Sequence, residues 1–237
     1  MKASASITTN YSRISKFATN TRAPFYEVAR AYLPADPSAI IVDIGSGDAG
    51  FAKHLGLSER YPNLYLIEGN QETADFLKKS YKNVLVEKAQ KHLPFADDSV
   101  SLIHCSHMIE HLNPDDLYSL LQEIDRISGS DAVVVISTPM LAPEQFYNDM
   151  SHVKPYYPAV LTKYMCGGNW LRTAPAISDQ YVVRDLAYRY FRSPIGAFWG
   201  GRTFVTHILA RCTSKLFNII GFCEYLKNGY TIILQKK

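Results

Sequence analysis

The chain has 237 residues, with 25 Lys and Arg against 22 Asp and Glu, and a net charge of +3 gives no clear sign of a nucleic-acid partner. Its 47% apolar fraction is ample for the core of one α/β domain with an insertion, which argues against a disordered chain. Cys105, Cys166, Cys212 and Cys223 form no C-x-x-C pair, and no apolar run approaches the roughly 18 residues of a membrane span, so a cytoplasmic protein with reduced thiols is expected.

Residues 1–21 are rich in Ser, Thr and Asn and read as a flexible arm, with no apolar stretch of a secretory signal between Ala3 and Asn10. Phe25, Val28, Ala29 and Leu33 recur at helical spacing, and Pro34 and Pro37 end that pattern. The next stretch organises the chain. Ile40 to Ile44 is a buried parallel strand by its apolar run, and it breaks into Gly45, Gly47 and Gly50 before a helical pattern resumes.

Those glycines spell G-x-G-x-x-G, the fingerprint of a dinucleotide turn. Asp43 opposes that reading, because a carboxylate two residues before the first glycine repels a pyrophosphate. A cofactor with a cationic centre and no phosphate removes the conflict, and S-adenosylmethionine, with its sulfonium and amino group, is such a cofactor. A dinucleotide and a plain strand-to-helix turn stand as alternatives.

Leu64 to Ile67 is a second strand ending in Glu68, about 20 residues after the glycine turn, where a carboxylate accepts hydrogen bonds from ribose hydroxyls. Gln71 to Ser80 reads as a helix and Asn83 to Val86 as a third strand. Leu93-Pro94-Phe95-Ala96-Asp97-Asp98-Ser99 leads into a fourth, Val100 to Cys105, followed by His107-Met108-Ile109-Glu110-His111-Leu112. Asn113 caps the next helix, with Pro114 in its first turn and Asp115 and Asp116 at its N-terminus. Ala132 to Ile136 is a fully apolar fifth strand.

Beyond Pro139 the pattern loosens. His152-Val153-Lys154-Pro155-Tyr156-Tyr157-Pro158 opens a helix that runs through Met165. The aromatic residues from Tyr156 to Trp199 are either the core of an insertion or contacts to an acceptor. Arg202 to Ile220 has one apolar face, which predicts a helix packed on the sheet, with a substrate lid or a peripheral membrane contact through 198–220 as alternatives. Tyr230 to Leu234 is the last strand, and Asn228-Gly229 before it is a hairpin signal. Phe222 to Leu226 and Ile177 to Val183 compete for the sixth strand.

Asp43-Ile44-Gly45-Ser46-Gly47 resembles motif I of class I S-adenosylmethionine-dependent methyltransferases. The L-P-F-x-D-x-S and E-H-L segments, and His152 to Pro158, resemble those of the type 11 group. Ala49 departs from that pattern where a third glycine is common, Ala89 and Gln90 stand where an adenine-binding Asp is usual, and Ser101 replaces an Asp in the fourth strand.

The resemblance implies a Rossmann-like, doubly wound α/β fold: a seven-stranded, mostly parallel sheet with an antiparallel last strand and an aromatic, helical insertion. The domain is expected over 22–237, with a variable acceptor region over about 140–228. It implies S-adenosylmethionine as cofactor, held by Asp43, Gly45, Ser46, Gly47 and Glu68, with Ala89, Gln90 and Cys105 flanking adenine. His152 and His107 are the expected bases. The expected reaction is methyl transfer to an oxygen or nitrogen atom of a small-molecule, saccharide or lipid-precursor acceptor. An NAD-dependent oxidoreductase and a non-catalytic S-adenosylmethionine-binding protein are the rivals. Glu110, His111 and His152 are also similar to the metal-binding E-H and distant His of small-RNA 2′-O-methyltransferases. A second Glu usual there is His107 here, and no metal is expected.

Overall fold

The computed structural model describes residues 11–88, 92–142, 145–168, 174–196 and 199–237. In chain order the helices are α1 (Tyr11–Phe17), α2 (Ala23–Arg30), α3 (Gly50–Leu55), α4 (Leu57–Arg60), α5 (Gln71–Leu77), α6 (Pro114–Ile127), α7 (Pro158–Met165) and α8 (Phe204–Ile219). The strands are β1 (Ile41–Ile44), β2 (Leu64–Ile67), β3 (Asn83–Leu85), β4 (Val100–Ser106), β5 (Ser128–Pro139), β6 (Tyr181–Pro194) and β7 (Cys223–Lys236). They form one seven-stranded sheet in the order β3-β2-β1-β4-β5-β7-β6, the expected doubly wound arrangement.

The pairs among β1 to β5 are parallel and β7 runs antiparallel to β5. Because β1, β4 and β5 run the same way, their C-terminal ends share one edge of the sheet, where α/β folds bind ligands. All four residues of β1 are buried, as a central strand between two neighbours requires. Around it Tyr26, Ala29, Phe51, Leu57, Leu66, Leu102, Val133 and Ile233 make one core.

The chain divides into two compact units, one of Ala23–Ala187 with Gly229–Lys237, the other of Met1–Arg22 with Tyr188–Asn228. The long strands β6 and β7 pass from one unit to the other. The hairpin expected at Asn228-Gly229 is not there. Both residues lie inside the continuous strand β7, where Gly229 pairs with Pro139, so pairing along β5 overrides the local turn preference. Phe222 to Leu226 is accordingly no separate arm, and the sixth strand begins inside the competing stretch, at Tyr181.

Within the second unit, Ala18 bridges Tyr190, and the Arg189 side chain donates to the Asn228 side-chain and backbone oxygens at 3.0 and 3.3 Å. Helix α8 starts on a reciprocal cap between Thr203 and Thr206. Its apolar stripe does not pack as expected, since none of its residues is buried.

A charged staple fixes the segment before β4. Arg126, on the last turn of α6, donates to the carbonyls of Phe95 and Leu93 at 2.8 and 3.0 Å, and to Asp97 and Glu123. The Glu123 carboxylate accepts from the Leu93 amide at 2.6 Å. The pair thus supplies a donor and an acceptor to a backbone that belongs to no strand or helix, which is what burying Leu93 requires. Replacing Arg126 by Ala strands the Leu93 carbonyl and the mostly covered Glu123 charge. Urea denaturation of Arg126→Ala is expected to show a loss of ~2–3 kcal/mol.

Candidate functional site

The turn after β1 is built by left-handed backbone. Gly45 has φ +67 and Gly47 φ +53, and a Cβ at Gly45 would lie 3.1 Å from the Met108 side chain, so glycine is needed there for both space and conformation. A Cβ at Gly47 would meet nothing within 4 Å, which leaves the backbone open to a ligand. Ala49 is also left-handed, with φ 58, at the N-cap of α3. Its methyl is fully buried, and burial worth ~0.8 kcal/mol offsets most of the ~1 kcal/mol conformational cost, which accounts for alanine at a glycine position.

The amides of Gly45 and Ser46 both donate to the Ile67 carbonyl at the end of β2, at 2.9 and 3.2 Å, and the Ser46 hydroxyl reaches the same oxygen at 3.4 Å. Glu68 accepts from the Gly47 and Asn70 amides, both at 2.9 Å, so its carboxylate ties the glycine turn to the loop after β2. Five expected cofactor residues, Asp43, Gly45, Ser46, Gly47 and Glu68, therefore lie at or beside one turn.

Asp43, at the tip of β1, is partly engaged in the core. Its carboxylate is buried and its Oδ1 pairs with His104 Nδ1 at 2.7 Å. The two residues face each other across β1 and β4, and the imidazole stacks on Phe51 at 3.7 Å between centroids. One oxygen is thus committed to the core, while Oδ2 is buried without a hydrogen-bond partner. His104 was not singled out in the sequence; the available signal was a titratable residue inside the apolar run of β4. Cys105 is fully buried in the same strand and burial pushes its thiol up, so it presents no surface for adenine to lie against. Ala89 and Gln90 lie outside the described residues.

At the ends of β4 and β5 the chain assembles a second group. His107, left-handed at φ 53, is fixed by its amide on the Ser137 carbonyl and sets Nδ1 3.3 Å from Glu110 Oε1. Glu110 is wholly buried, and its Oε2 accepts from the Thr138 hydroxyl at 3.0 Å. Burial pushes this carboxyl up, but the hydrogen bond and charge of His107, together with Thr138, outweigh it and hold the group below its usual range. The backbone carbonyl of Glu110 accepts the amides of Val153 and Lys154 at 2.8 and 3.2 Å.

That contact clamps the segment after β5 onto the 3-10 turn at Ile109–His111. Tyr156 reinforces it by donating to the Leu112 carbonyl at 3.0 Å, and burial pushes its phenol up to about 12. Tyr156 and Tyr181 are buried, so they serve the core and not an acceptor. Trp170 and Phe198 lie outside the described residues.

The clamp brings His111 and His152 together, with ring centroids 4.9 Å apart. His111 Nδ1 lies 3.1 Å from the Ser151 carbonyl and His152 Nδ1 lies 2.6 Å from the Phe146 carbonyl. A carbonyl only accepts, so each Nδ1 donates to it, and in a neutral ring the lone pair then lies on Nε2. The Asp149 carboxyl, held below its usual range by hydrogen bonds from the Ser151 hydroxyl and amide, has Oδ2 3.9 Å from His152 Nε2. Glu110, His111 and His152 each bring one possible ligand atom, all within 4.8 Å of one another. The sequence reading paired His152 with His107 as bases and grouped it with Glu110 and His111 only through the resemblance; the structure makes His111 its ring neighbour.

Residues 42–136 match the family model described as a methyltransferase domain. The chain is similar over 94% of its length to the solved structure of a SAM-dependent methyltransferase from Archaeoglobus fulgidus, at 21% identity and TM-score 0.58, covering 97% of that chain. It is similar over 90% of its length to geranyl diphosphate C-methyltransferase from Streptomyces coelicolor A3(2), at 13% identity and TM-score 0.58, covering 77% of that chain. A curated relative, an uncharacterised protein of Methanocaldococcus jannaschii, is 27% identical over 113 residues; the match spans about half of this chain and about half the length of that relative. The matched methyltransferase domain covers less than half of this chain, and the solved structures share its Rossmann-like fold; S-adenosylmethionine is the cofactor that the resemblance implies.

The residues around the glycine turn fit that cofactor. A buried carboxylate oxygen without a partner suits a cation, and the open backbone at Gly47 suits a close-lying ligand.

The charge state of Glu110 has a consequence for acid stability. A carboxyl held below its unfolded value of 4.5 contributes stability that is present above that pH and is lost as the pH falls through the folded value. Denaturant titrations below about pH 4.5 are expected to show a shallower loss of stability in Glu110→Gln than in the parent chain.

Proposed function

We propose that this chain transfers the methyl group of S-adenosylmethionine to an oxygen or nitrogen atom of a small-molecule, saccharide or lipid-precursor acceptor. The observation that carries the reading is the contact of His152 Nδ1 with the Phe146 carbonyl at 2.6 Å, which in a neutral ring sets the lone pair on Nε2. When bound, the cofactor supplies an electrophilic methyl on a sulfonium. The chain's own part is to position the acceptor and, for a hydroxyl acceptor, to take its proton.

In this reading Asp43 Oδ2 and the backbone at Gly45 and Gly47 take the charged end of the cofactor, Ser46 holds the turn, and Glu68 takes the ribose hydroxyls. His152 receives the acceptor proton at Nε2, and the carboxylate of Asp149 faces the imidazolium that results. His107, braced on Glu110, borders the same edge and orients the acceptor. The absence of disulfides among the four cysteines supports a cytoplasmic setting.

The unpartnered Asp43 oxygen also favours a sulfonium over a pyrophosphate, and so disfavours an NAD-dependent oxidoreductase. A second reading uses the convergence of Glu110, His111 and His152: the same imidazoles would hold a divalent cation that lowers the pKa of an acceptor hydroxyl. A chelator separates the two, since it abolishes transfer only in the second.

Incubation of the protein with radiolabelled S-adenosylmethionine and fractionated extract is expected to place label in small-molecule, saccharide or lipid fractions. Cofactor binding without any transfer would indicate the non-catalytic alternative. With a hydroxyl acceptor, His152→Ala is expected to lower kcat by about 10²-fold or more and to abolish the acid limb of the pH profile; full rate at every pH would contradict the base assignment.

Asp43→Asn keeps an acceptor for His104 and is expected to stay within about 1 kcal/mol of the parent stability. Calorimetric titration should nevertheless show S-adenosylmethionine affinity falling by about tenfold or more, because the negative charge is gone.

A further inference from the structure

Helix α8 is amphipathic in the wrong sense for a soluble protein. Its half-covered positions are Ala210, Thr213, Ser214 and Phe217, which are small or polar apart from the last. Its large apolar residues, Phe204, Val205, Ile208, Leu209, Leu216 and Ile219, are 45% to 82% exposed. At 100° per residue those six fall within one arc of about 140°. Trp199 before the helix and Phe222 after it are also more than half exposed, and each packs near Phe217.

Exposed apolar area on this scale marks a binding surface. Charge narrows what binds there. No Asp or Glu occurs between Asp185 and Glu224, while Arg189, Arg192, Arg202, Arg211 and Lys215 do. On the helix, Arg211 lies just outside one edge of the apolar arc and Lys215 just inside it, the position from which long cationic side chains reach headgroups while their neighbours enter the acyl boundary. A second copy of the same face would bring like charges together, which disfavours self-association.

We propose that α8, with Trp199 and Phe222, is a membrane-interface element that lies on anionic lipid bilayers. At about 1.5 Å per residue its 16 residues extend roughly 24 Å, short of the ~30 Å hydrocarbon layer. Among the described residues no helix is long and apolar enough to cross a membrane, so α8 lies in the interface and does not span it. The proposal does not depend on methyl transfer, because vesicle binding is read without cofactor or acceptor.

The test is co-sedimentation of the full chain with vesicles of phosphatidylcholine alone and of phosphatidylcholine mixed with phosphatidylglycerol, at low and high salt. Binding to the mixed vesicles, weakened by salt, is expected. Ile208→Asn with Leu209→Asn should reduce it at least about tenfold. Arg211→Ser and Lys215→Ser should each reduce it by about fivefold at low salt. All four positions are exposed, so an unchanged thermal melt and unchanged S-adenosylmethionine affinity confirm that the variants remain folded. No binding to mixed vesicles overturns the proposal. Equal binding to both vesicle types overturns its electrostatic part. A dimer in light scattering that the Asn pair dissociates, without vesicle binding, assigns the face to a second copy instead.

Discussion

The proposed chemistry at the ligand edge depends on two imidazoles being held by main-chain carbonyls. A free histidine exchanges its proton between ring nitrogens, and a base is useful only while its lone pair faces the proton to be removed. Ser151 and Phe146 restrict that freedom in His111 and His152 by accepting hydrogen bonds from Nδ1 through their carbonyls. Both carbonyls belong to the segment after β5, so the tautomers last only while that segment stays in place. Glu110 keeps it there, with its carboxylate anchored between Thr138 and His107 and its carbonyl gripping Val153 and Lys154. One buried residue therefore joins β4, β5 and the segment after β5.

A second buried polar pair does comparable work under the glycine turn. Asp43 and His104 sit opposite each other on neighbouring central strands, and Phe51 at the start of α3 stacks over the imidazole. Strand, turn and helix are thereby locked to one aromatic layer. One carboxylate oxygen is committed to this layer and the other is buried without a hydrogen-bond partner, so in the proposed function fold stability and cofactor affinity would share a residue but not an atom.

Much of the domain was legible in the sequence because its strands are short, apolar and central. Leu64 to Ile67 appears with the expected bounds, and Asn113 caps α6 as its spacing implied. Three things were not legible. The inward turn of Asp43 depends on the β1–β4 register, which sets His104 beside it and which no local pattern encodes. Asn228-Gly229 carries a strong turn signal that pairing with β5 overrules. The face on which α8 is covered is a tertiary fact: its apolar stripe was visible, but stripe and covered face coincide only when the helix packs on the core. Of the candidate site, the grouping around motif I was readable from spacing, whereas the grouping of His111 with His152 came only through the resemblance and rests physically on the clamp at Glu110.

The measurement that bears most directly on this account is the tautomeric state of the two imidazoles, read from long-range proton–nitrogen correlations of ¹⁵N-histidine-labelled protein at neutral pH. The predicted result is a protonated Nδ1 and an unprotonated Nε2 for both His111 and His152. A protonated Nε2 with a bare Nδ1 at His152 would contradict the carbonyl contact, and with it the lone pair on which the proposed chemistry rests.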